Sequence, residues 1–335
     1  MTNNIEIIAE LAQGFEGSVE QAKLMVKAAA KAGANAAKFQ LVYADELATP
    51  DYPYYDLFSS LEMTDEDWRS VKSTCEANGI ELILDVFGGL GLALVEQLSI
   101  KTIKLHATDI NNVGFLTSLA ESSIERIMVG AGGAYVGEIK DALEILGSKK
   151  VILFHGFQGY PTGVADNQIS RLKLLSDTFF GYENVILGFS DHVDPFNPSS
   201  ISLPAYAVGQ GAMVLEKHLT LGCCMELEDH EAAMNPDQFK TFVSCIRDVE
   251  IAHGESSLGD NFGMSESEEN YRKNIRRHVV ASRDLKIGSV ITSSDVALKR
   301  SSSSSAYTDI QLVYGKTVNK AINTNAPLNH GDLND

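Results

Sequence analysis

Seven apolar runs of the chain end in side chains able to do chemistry: Glu10, Lys38 with Gln40, Asp85, Lys104, His155, Ser190-Asp191-His192 and Glu216-Lys217-His218. Gathering so many ionisable groups at the ends of buried runs costs desolvation energy, which points to a site rather than to stability. His192 and His218 close consecutive runs, each beside a carboxylate, Asp191 and Glu216. Two imidazoles with carboxylates nearby suit a divalent metal that keeps positions open for substrate. A single histidine would read more simply as a hydrogen-bonded structural residue; the pair favours ligation. His155 is read as a packing residue, with a third ligand as its other role. Either lysine alone could form a Schiff base, bind phosphate or pair with a buried carboxylate. Lys38 and Lys104 together, across from the metal candidates, favour an anionic substrate carrying phosphate and carboxylate.

Positioning these groups requires a repeated strand. Short β-branched runs at 5–9, 36–39, 81–84, 102–105, 126–129, 151–154, 185–188 and 213–215 alternate with helical periods at 65–77, 92–98, 135–146, 169–175 and 237–252. Ser18-Val19-Glu20-Gln21 is a capping-box pattern opening an Ala-rich helix that stops at Gly33. Eight βα units of about 30 residues make about 250, the usual size of a TIM (β/α)8 barrel, in which the carboxyl ends of the strands carry the site. The expected organisation is a catalytic barrel over 1–254, a Gly-, Ser- and Glu-rich linker over 255–275, and a small β-rich domain over 276–335. The run Ser301-Ser302-Ser303-Ser304-Ser305 reads as a flexible loop.

The formal charge is −18 over 335 residues, which disfavours nucleic acid and anionic membrane as partners. It is unevenly spread: residues 269–335 hold 10 Lys+Arg and 6 Asp+Glu (+4), leaving 17 − 39 = −22 for residues 1–268. Opposite signs suggest that one part docks on the other. Cys75, Cys223, Cys224 and Cys245 form no zinc spacing, no apolar run reaches the length of a membrane span, and the start carries no secretory pattern. The expectation is a reduced, cytoplasmic protein.

With their neighbours, the strand-end residues resemble the sialic acid (N-acylneuraminate) synthase family. The stretches that carry the resemblance are IIAEL, GSVEQAKLMVKAAAKAGANAAKFQ, KLHATDINN, LFHGFQGYPT, LGFSDHV, VLEKHLTL, EDHEAAMNPDQF and the tail VVASRDLKIGSVITSSDVALKR, in order over nearly the whole chain. The resemblance implies a TIM barrel followed by an antifreeze-like (SAF) domain, in a domain-swapped homodimer whose tails cover the partners' barrel mouths. It implies a transferase that condenses phosphoenolpyruvate with the open-chain aldehyde of an N-acylated hexosamine, giving a nine-carbon 2-keto-3-deoxy acid for a surface glycan. The implied cofactor is a divalent metal, manganese first, then magnesium or cobalt. Carried over by position, His192 and His218 match metal ligands; Lys38, Lys104 and Ser190 match residues around phosphoenolpyruvate. Glu10, Gln40, Asp109, Tyr160 and Asp229 match residues near the sugar or the reacting atoms. Glu216 matches a carboxylate beside the metal, and Glu10 and Glu216 are the first candidates for acid and base. Phe87 and Gln158 fall in the substrate-binding set, and Arg300 matches the tail arginine that reaches the partner's site.

The sequence also departs from the family. Gly14-Phe15 stands where the family has Asn-His. Ala107 and Gly130 replace serines able to bind phosphate oxygens, Gln158 replaces an asparagine, Leu84-Asp85-Val86 replaces Ser-Thr-Pro, and Ser301 replaces a proline. Asp85 adds negative charge where the phosphate is expected. Either the phosphate is bound by backbone N–H groups around Gly130, Gly132 and Gly133, or the chain takes another aldose acceptor or binds a sugar acid without turnover.

Overall fold

The structure is a computed structural model that describes residues 5–157, 159–254, 259–260 and 262–334. Gln158, one of the expected substrate-binding residues, lies outside the described residues. The chain divides into two compact units, Met1–Gly254 and Glu255–Asp335.

The first unit is a closed barrel of eight parallel strands in sequence order: β1 (Glu6–Ala12), β2 (Ala36–Leu41), β3 (Glu81–Val86), β4 (Thr102–Leu105), β5 (Arg126–Gly130), β6 (Lys150–His155), β7 (Val185–Asp191) and β8 (Val214–His218). Its helices are α1 (Val19–Ala32), α2 (Ala44–Leu47), α3 (Tyr55–Leu61), α4 (Asp65–Ala77), α5 (Gly89–Gln97), α6 (Val113–Glu121), α7 (Val136–Leu146), α8 (Arg171–Thr178), α9 (Ser202–Gly209) and α10 (Pro236–His253). The Ser18 side chain caps α1 by accepting from Gln21 N–H (3.3 Å), and Gly33 ends it at φ 93°. The reciprocal half of that capping box is absent, because the Gln21 amide donates to Gly14 O instead (2.6 Å).

Side chains alternate across a strand, and each strand's inward row changes character as it rises. Ile8, Ala36, Ile83, Met128, Ile152, Phe154 and Val214 form one buried apolar cluster inside the barrel, distinct from the larger cluster between strands and helices. Two residues further along the same rows come Glu10, Lys38, Asp85 and Glu216. Gly188 lets the Phe154 ring cross the interior, since a Cβ there would lie 2.7 Å from that ring. The apolar floor thus excludes water from beneath the charged layer.

Phe15, at a position where the resemblance implies a polar residue, is fully buried in the outer core, edge-on to Trp68 and Phe39 at 5.5 and 5.8 Å. Phe15 there serves packing. Among the described residues no helix is long and apolar enough to cross a membrane.

The second unit has its own core, including Val279, Leu285, Ile291, Val313, Val318 and Leu328. Around it lie two antiparallel pairs, β9 (His278–Ala281) with β10 (Val296–Lys299), and β11 (Thr317–Val318) with β12 (Leu333–Asn334). The stretch read as a linker contains a helix, α11 (Glu266–Ile275), capped by Ser265 and burying no residue. The serine run is not a free loop. Ser301 Oγ lies 3.0 Å from His278 Nδ1, while Ser303 and Ser305 hydroxyls donate to Asn329 Oδ1 at 2.6 and 3.1 Å. Alternate serines thereby pin the segment to the domain.

Candidate active site

The parallel register brings the strand ends into one ring: Glu10 lies beside Lys38 and His218, Asp85 beside Gln40 and Lys104, and Ser190 beside Glu216. Lys38 Nζ, wholly excluded from solvent, pairs with Glu10, with Asp85 at 3.2 Å and with Glu216 at 3.5 Å. Lys104 Nζ pairs with the other Glu216 oxygen at 2.6 Å and stands 5.7 Å from the centroid of the Phe154 ring. Ser190 donates its hydroxyl to that same Glu216 oxygen. A bulge between Glu10 and Ala12 lets Ala12 N–H donate back to the Glu10 carboxylate (2.7 Å), with Ala12 held at φ 44°.

Burial opposes ionisation of Glu216, but Lys104 and Lys38 outweigh it and hold the carboxyl far below the usual range. Glu216 is therefore an anion at neutral pH and cannot serve as a proton donor. Burial works against the Lys104 charge too, and Glu216 and Asp85 more than reverse it, so Lys104 stays a cation. For Lys38 burial prevails over Asp85 and Glu216 and lowers its proton affinity.

The imidazoles of His192 and His218 face each other with ring centroids 5.1 Å apart, and the Tyr160 ring stands edge-on to both at 5.3 and 5.7 Å. The Tyr160 loop is tied down where Thr162 N–H donates to His192 O (2.8 Å). Burial pushes His192 down to about 3 and His218 well below the usual histidine value, so both rings are neutral and their nitrogen lone pairs available. His192 Nδ1 and Glu216 Oε2 are buried and make no hydrogen bond among the described residues.

Strand alternation corrects one expectation. Asp191, read as a carboxylate flanking the imidazoles, pairs instead with Lys217 at 2.9 Å, and Lys217 also donates to Val193 O at 2.7 Å. Ser190, His192, Glu216 and His218 share one face; Asp191 and Lys217 occupy the other. His155 packs, its Nε2 2.8 Å from Asn167 O and its ring beside Phe189.

Of the remaining expected residues, Gln40, Phe87, Asp109 and Asp229 belong to the first unit and Arg300 to the second. Gln40 accepts from the Gln13 amide (2.6 Å), a positioning contact that no motif marked. Phe87 stacks obliquely on His106 at 5.8 Å, and Asp109 accepts from Asn112 (3.1 Å) without reaching the charge cluster. Asp229 sits at φ 62°, and burial, with Glu228 and Glu231, raises its carboxyl to about 6. Arg300 is exposed in the second unit. Ala107 and Gly130 fit each other, since a Cβ on Gly130 would come within 3.0 Å of Ala107 N.

Two observations bear on a metal. The buried cluster carries three carboxylates, Glu10, Asp85 and Glu216, against two lysines, a formal excess of one negative charge. Beside it stand two neutral imidazoles, one with an unpartnered nitrogen. This donor set fits a divalent cation held by two protein ligands. Among the described residues no group of three or more His, Cys, Asp or Glu is arranged for a metal.

Comparison with known proteins follows the same lines. The NeuB family model matches residues 25–257 and the SAF domain model residues 276–334. The chain is 31% identical over 297 residues to an uncharacterized protein of Methanocaldococcus jannaschii, covering 88% of this chain and 84% of that one. It is 28% identical to the N,N'-diacetyllegionaminic acid synthase of Legionella pneumophila, covering 96% of this chain and 92% of the relative. Among solved structures, the N-acetylneuraminic acid (sialic acid) synthetase of Leptospira borgpetersenii superposes with a TM-score of 0.73 at 25% identity, over 82% of this chain and 93% of that one. A TIM barrel followed by an SAF domain, with a ring of lysines, carboxylates and histidines at the carboxyl ends of its strands, this chain belongs to the NeuB family and is a synthase that joins phosphoenolpyruvate to a sugar through a new carbon–carbon bond.

Proposed function

We propose that the chain condenses phosphoenolpyruvate with the open-chain aldehyde of an N-acylated hexosamine, one water attacking C2 as its C–O bond to phosphate breaks, so that phosphate and a nine-carbon 2-keto-3-deoxy acid are released. The observation that carries this reading is the buried ring in which Lys38 and Lys104 share Glu216 beside the neutral His192–His218 pair. His192 and His218 hold a divalent cation, manganese first, which when bound supplies a Lewis acid for the aldehyde oxygen. Lys104 presents positive charge to the carboxylate of phosphoenolpyruvate. Glu216, fixed by Ser190 and Lys104, is a permanent anion and takes the part of a base or electrostatic stabiliser. The Tyr160 hydroxyl keeps its proton, because burial and Asp229 raise its pKa, and so donates a hydrogen bond at the mouth. Asp229, at about 6, is the group that gains and loses a proton near neutral pH. The floor of Phe154, Met128 and Ile152 keeps water from beneath the reacting carbons.

The experiment is phosphate release from phosphoenolpyruvate with manganese, tested with N-acetylmannosamine, its 6-deoxy and diacetamido relatives, and plain aldoses, with a chelator control. Release with one acceptor, abolished by His192→Ala and by His218→Ala, is expected; full activity in both variants would overturn the assignment. The Legionella relative makes a diacetamido acid, so the diacetamido acceptor is the second candidate. The proposal extends to a homodimer in which Arg300 completes the partner's site. Mixing Arg300→Ala with His218→Ala chains then restores part of the activity, and no recovery despite subunit exchange would refute it.

A further inference from the structure

The bulge in β1 decides which residue stands beside Gln40. Glu10 pairs with Lys38, but Ala12 rather than Leu11 pairs with Phe39, so one extra residue shifts everything after it by one place. In regular register Ala12 would flank Gln40. With the bulge Gln13 does, and its side-chain amide donates to Gln40 Oε1 at 2.6 Å. The segment that carries Gln13 is fixed on both sides. Before it, Ala12 N–H donates to the Glu10 carboxylate (2.7 Å). After it, Gly14 N–H donates to Leu11 O (3.0 Å), Glu16 N–H to Gln13 O (2.9 Å) and the Gln21 amide to Gly14 O (2.6 Å), while Phe15 is packed against Trp68 and Phe39. Gln13 is thus preorganised by the chain itself.

Gln40 lies two residues beyond Lys38 on the same inward row of β2, beside Asp85 of β3. Lys38 is wholly buried and Gln40 half-buried, so Gln40 stands above the charge cluster and opens on the mouth. A side-chain amide has two unlike ends, an oxygen that only accepts and an NH2 that only donates. Gln13 occupies the oxygen. Among the described residues the Gln40 NH2 donates to no protein acceptor, so the end presented to a ligand is the donor. Lys38 and Lys104 are the cations that an anionic substrate meets. A neutral donor beside them suits the oxygen of a neutral one, a hydroxyl or carbonyl of a sugar.

We infer that Gln13 is a positioning residue that sets the polarity of Gln40, holding its oxygen so that its NH2 faces an oxygen of the acceptor sugar and contributes to the choice of acceptor. The inference rests on the synthase reading and adds to it the means by which one side chain is aimed. Gln13 acts through Gln40 and not on the reacting atoms.

The test is steady-state kinetics of the full chain with the acceptor varied at saturating phosphoenolpyruvate. Gln13→Leu frees the Gln40 amide to rotate and should raise the acceptor KM by about three- to tenfold, with kcat and the KM for phosphoenolpyruvate nearly unchanged. Gln13→Glu offers only acceptors, so it captures the Gln40 NH2 and leaves Oε1 facing the sugar oxygen; its acceptor KM should rise further, by about tenfold or more. In a Gln40→Leu background Gln13→Leu should add no further loss, because the contact it supports is already gone. The inference is overturned if Gln13→Leu leaves the acceptor KM unchanged or raises the phosphoenolpyruvate KM equally, if its effect persists without Gln40, or if Gln13→Glu is no worse than Gln13→Leu. A wild-type chain that turns over no acceptor defeats the synthase reading instead. Calorimetric titration with N-acetylmannosamine and its diacetamido relative then carries the same comparison of variants, and a wild type that binds neither sugar overturns the assignment of Gln13 as well.

Discussion

Glu216 and Lys217 are adjacent on β8 and equally excluded from solvent, yet they belong to two charge groups of opposite kind. On the outer face, Lys217 and Asp191 form a closed pair: one cation, one anion, with Val193 O and Val193 N–H taking further bonds. On the inner face, two lysines meet three carboxylates; among the described residues Glu216 Oε2 and His192 Nδ1 there, like Asp191 Oδ2 on the outer face, make no hydrogen bond, so the two groups differ in charge balance rather than in hydrogen bonding. Desolvating a charge costs several kcal/mol unless partners compensate it. The outer pair meets that requirement within the chain. The inner group keeps one formal negative charge in excess, which the proposed cation would balance. An unbalanced buried cluster is thus a signature of a site, and a balanced one a signature of structure.

The largest effect that separates them is catalytic. Lys104→Met removes a preorganised cation from the inner face and should cut phosphate release by about 10³-fold or more, measured on protein whose circular dichroism matches wild type. Lys217→Met should leave kcat per folded molecule unchanged. If both variants lose turnover equally, the division into structural and functional faces fails.

Stability should reverse the ranking. Lys217→Met strands Asp191 without its cation, and breaking a buried pair from one side costs about 3–5 kcal/mol, readable as the shift in urea midpoint.

Much of this arrangement was legible in the sequence, because β-branched runs mark parallel barrel strands and ionisable residues mark where each run leaves the core. β4 and α4 fall where periodicity put them, at 102–105 and 65–77. α9 escaped, since Ser202–Gly209 carries Pro204 in its first turn and has almost no apolar asymmetry. α6 also escaped, its start depending on an Asn112 side chain that accepts from Phe115 N–H. In the site, the groups at the strand ends were visible but their pairing was not. Ser190-Asp191-His192 reads as one cluster until the two-residue period sends Asp191 to the other face. The Gln13–Gln40 bond and the contact of Gly156 with Ser190 join residues distant in sequence, and no spacing encodes them.

A rim carboxylate sharpens the comparison through pH. Asp229 has its carboxyl raised from 3.8 to about 6, chiefly by burial and then by Glu228 and Glu231, with Lys38 and His230 acting against them. The folded state therefore binds the Asp229 proton more tightly than the unfolded state. Its effect on stability is absent below pH 4, grows as pH rises through the window between 4 and 6, and is a full penalty above it. Asp229→Asn should remove that slope and stabilise the protein at pH 7 by about 1–2 kcal/mol, after discounting for the half-exposed side chain. The left-handed backbone there accommodates asparagine readily. Thermal unfolding from pH 4 to 7 in which the difference between variant and wild type stays flat would show that Asp229 titrates normally.

The smallest expected effect is the most discriminating. Replacing a buried carboxylate by its amide should harm the balanced pair and spare the unbalanced cluster. Asp191→Asn leaves Lys217 without a counter-charge and should cost about 3 kcal/mol. Asp85→Asn brings the inner group from three anions to two, matching its two cations, while Lys38 keeps Glu10 and Glu216. The lost charge-assisted bond and the relieved repulsion offset each other, so stability in the presence of a chelator should stay within about 1 kcal/mol of wild type. Manganese should then stabilise wild type more than Asp85→Asn, because the excess negative charge that favours the cation has been removed. Equal destabilisation by the two substitutions would mean that the inner cluster is as self-sufficient as the outer pair, and that its extra carboxylate is balanced within the folded chain rather than by a ligand.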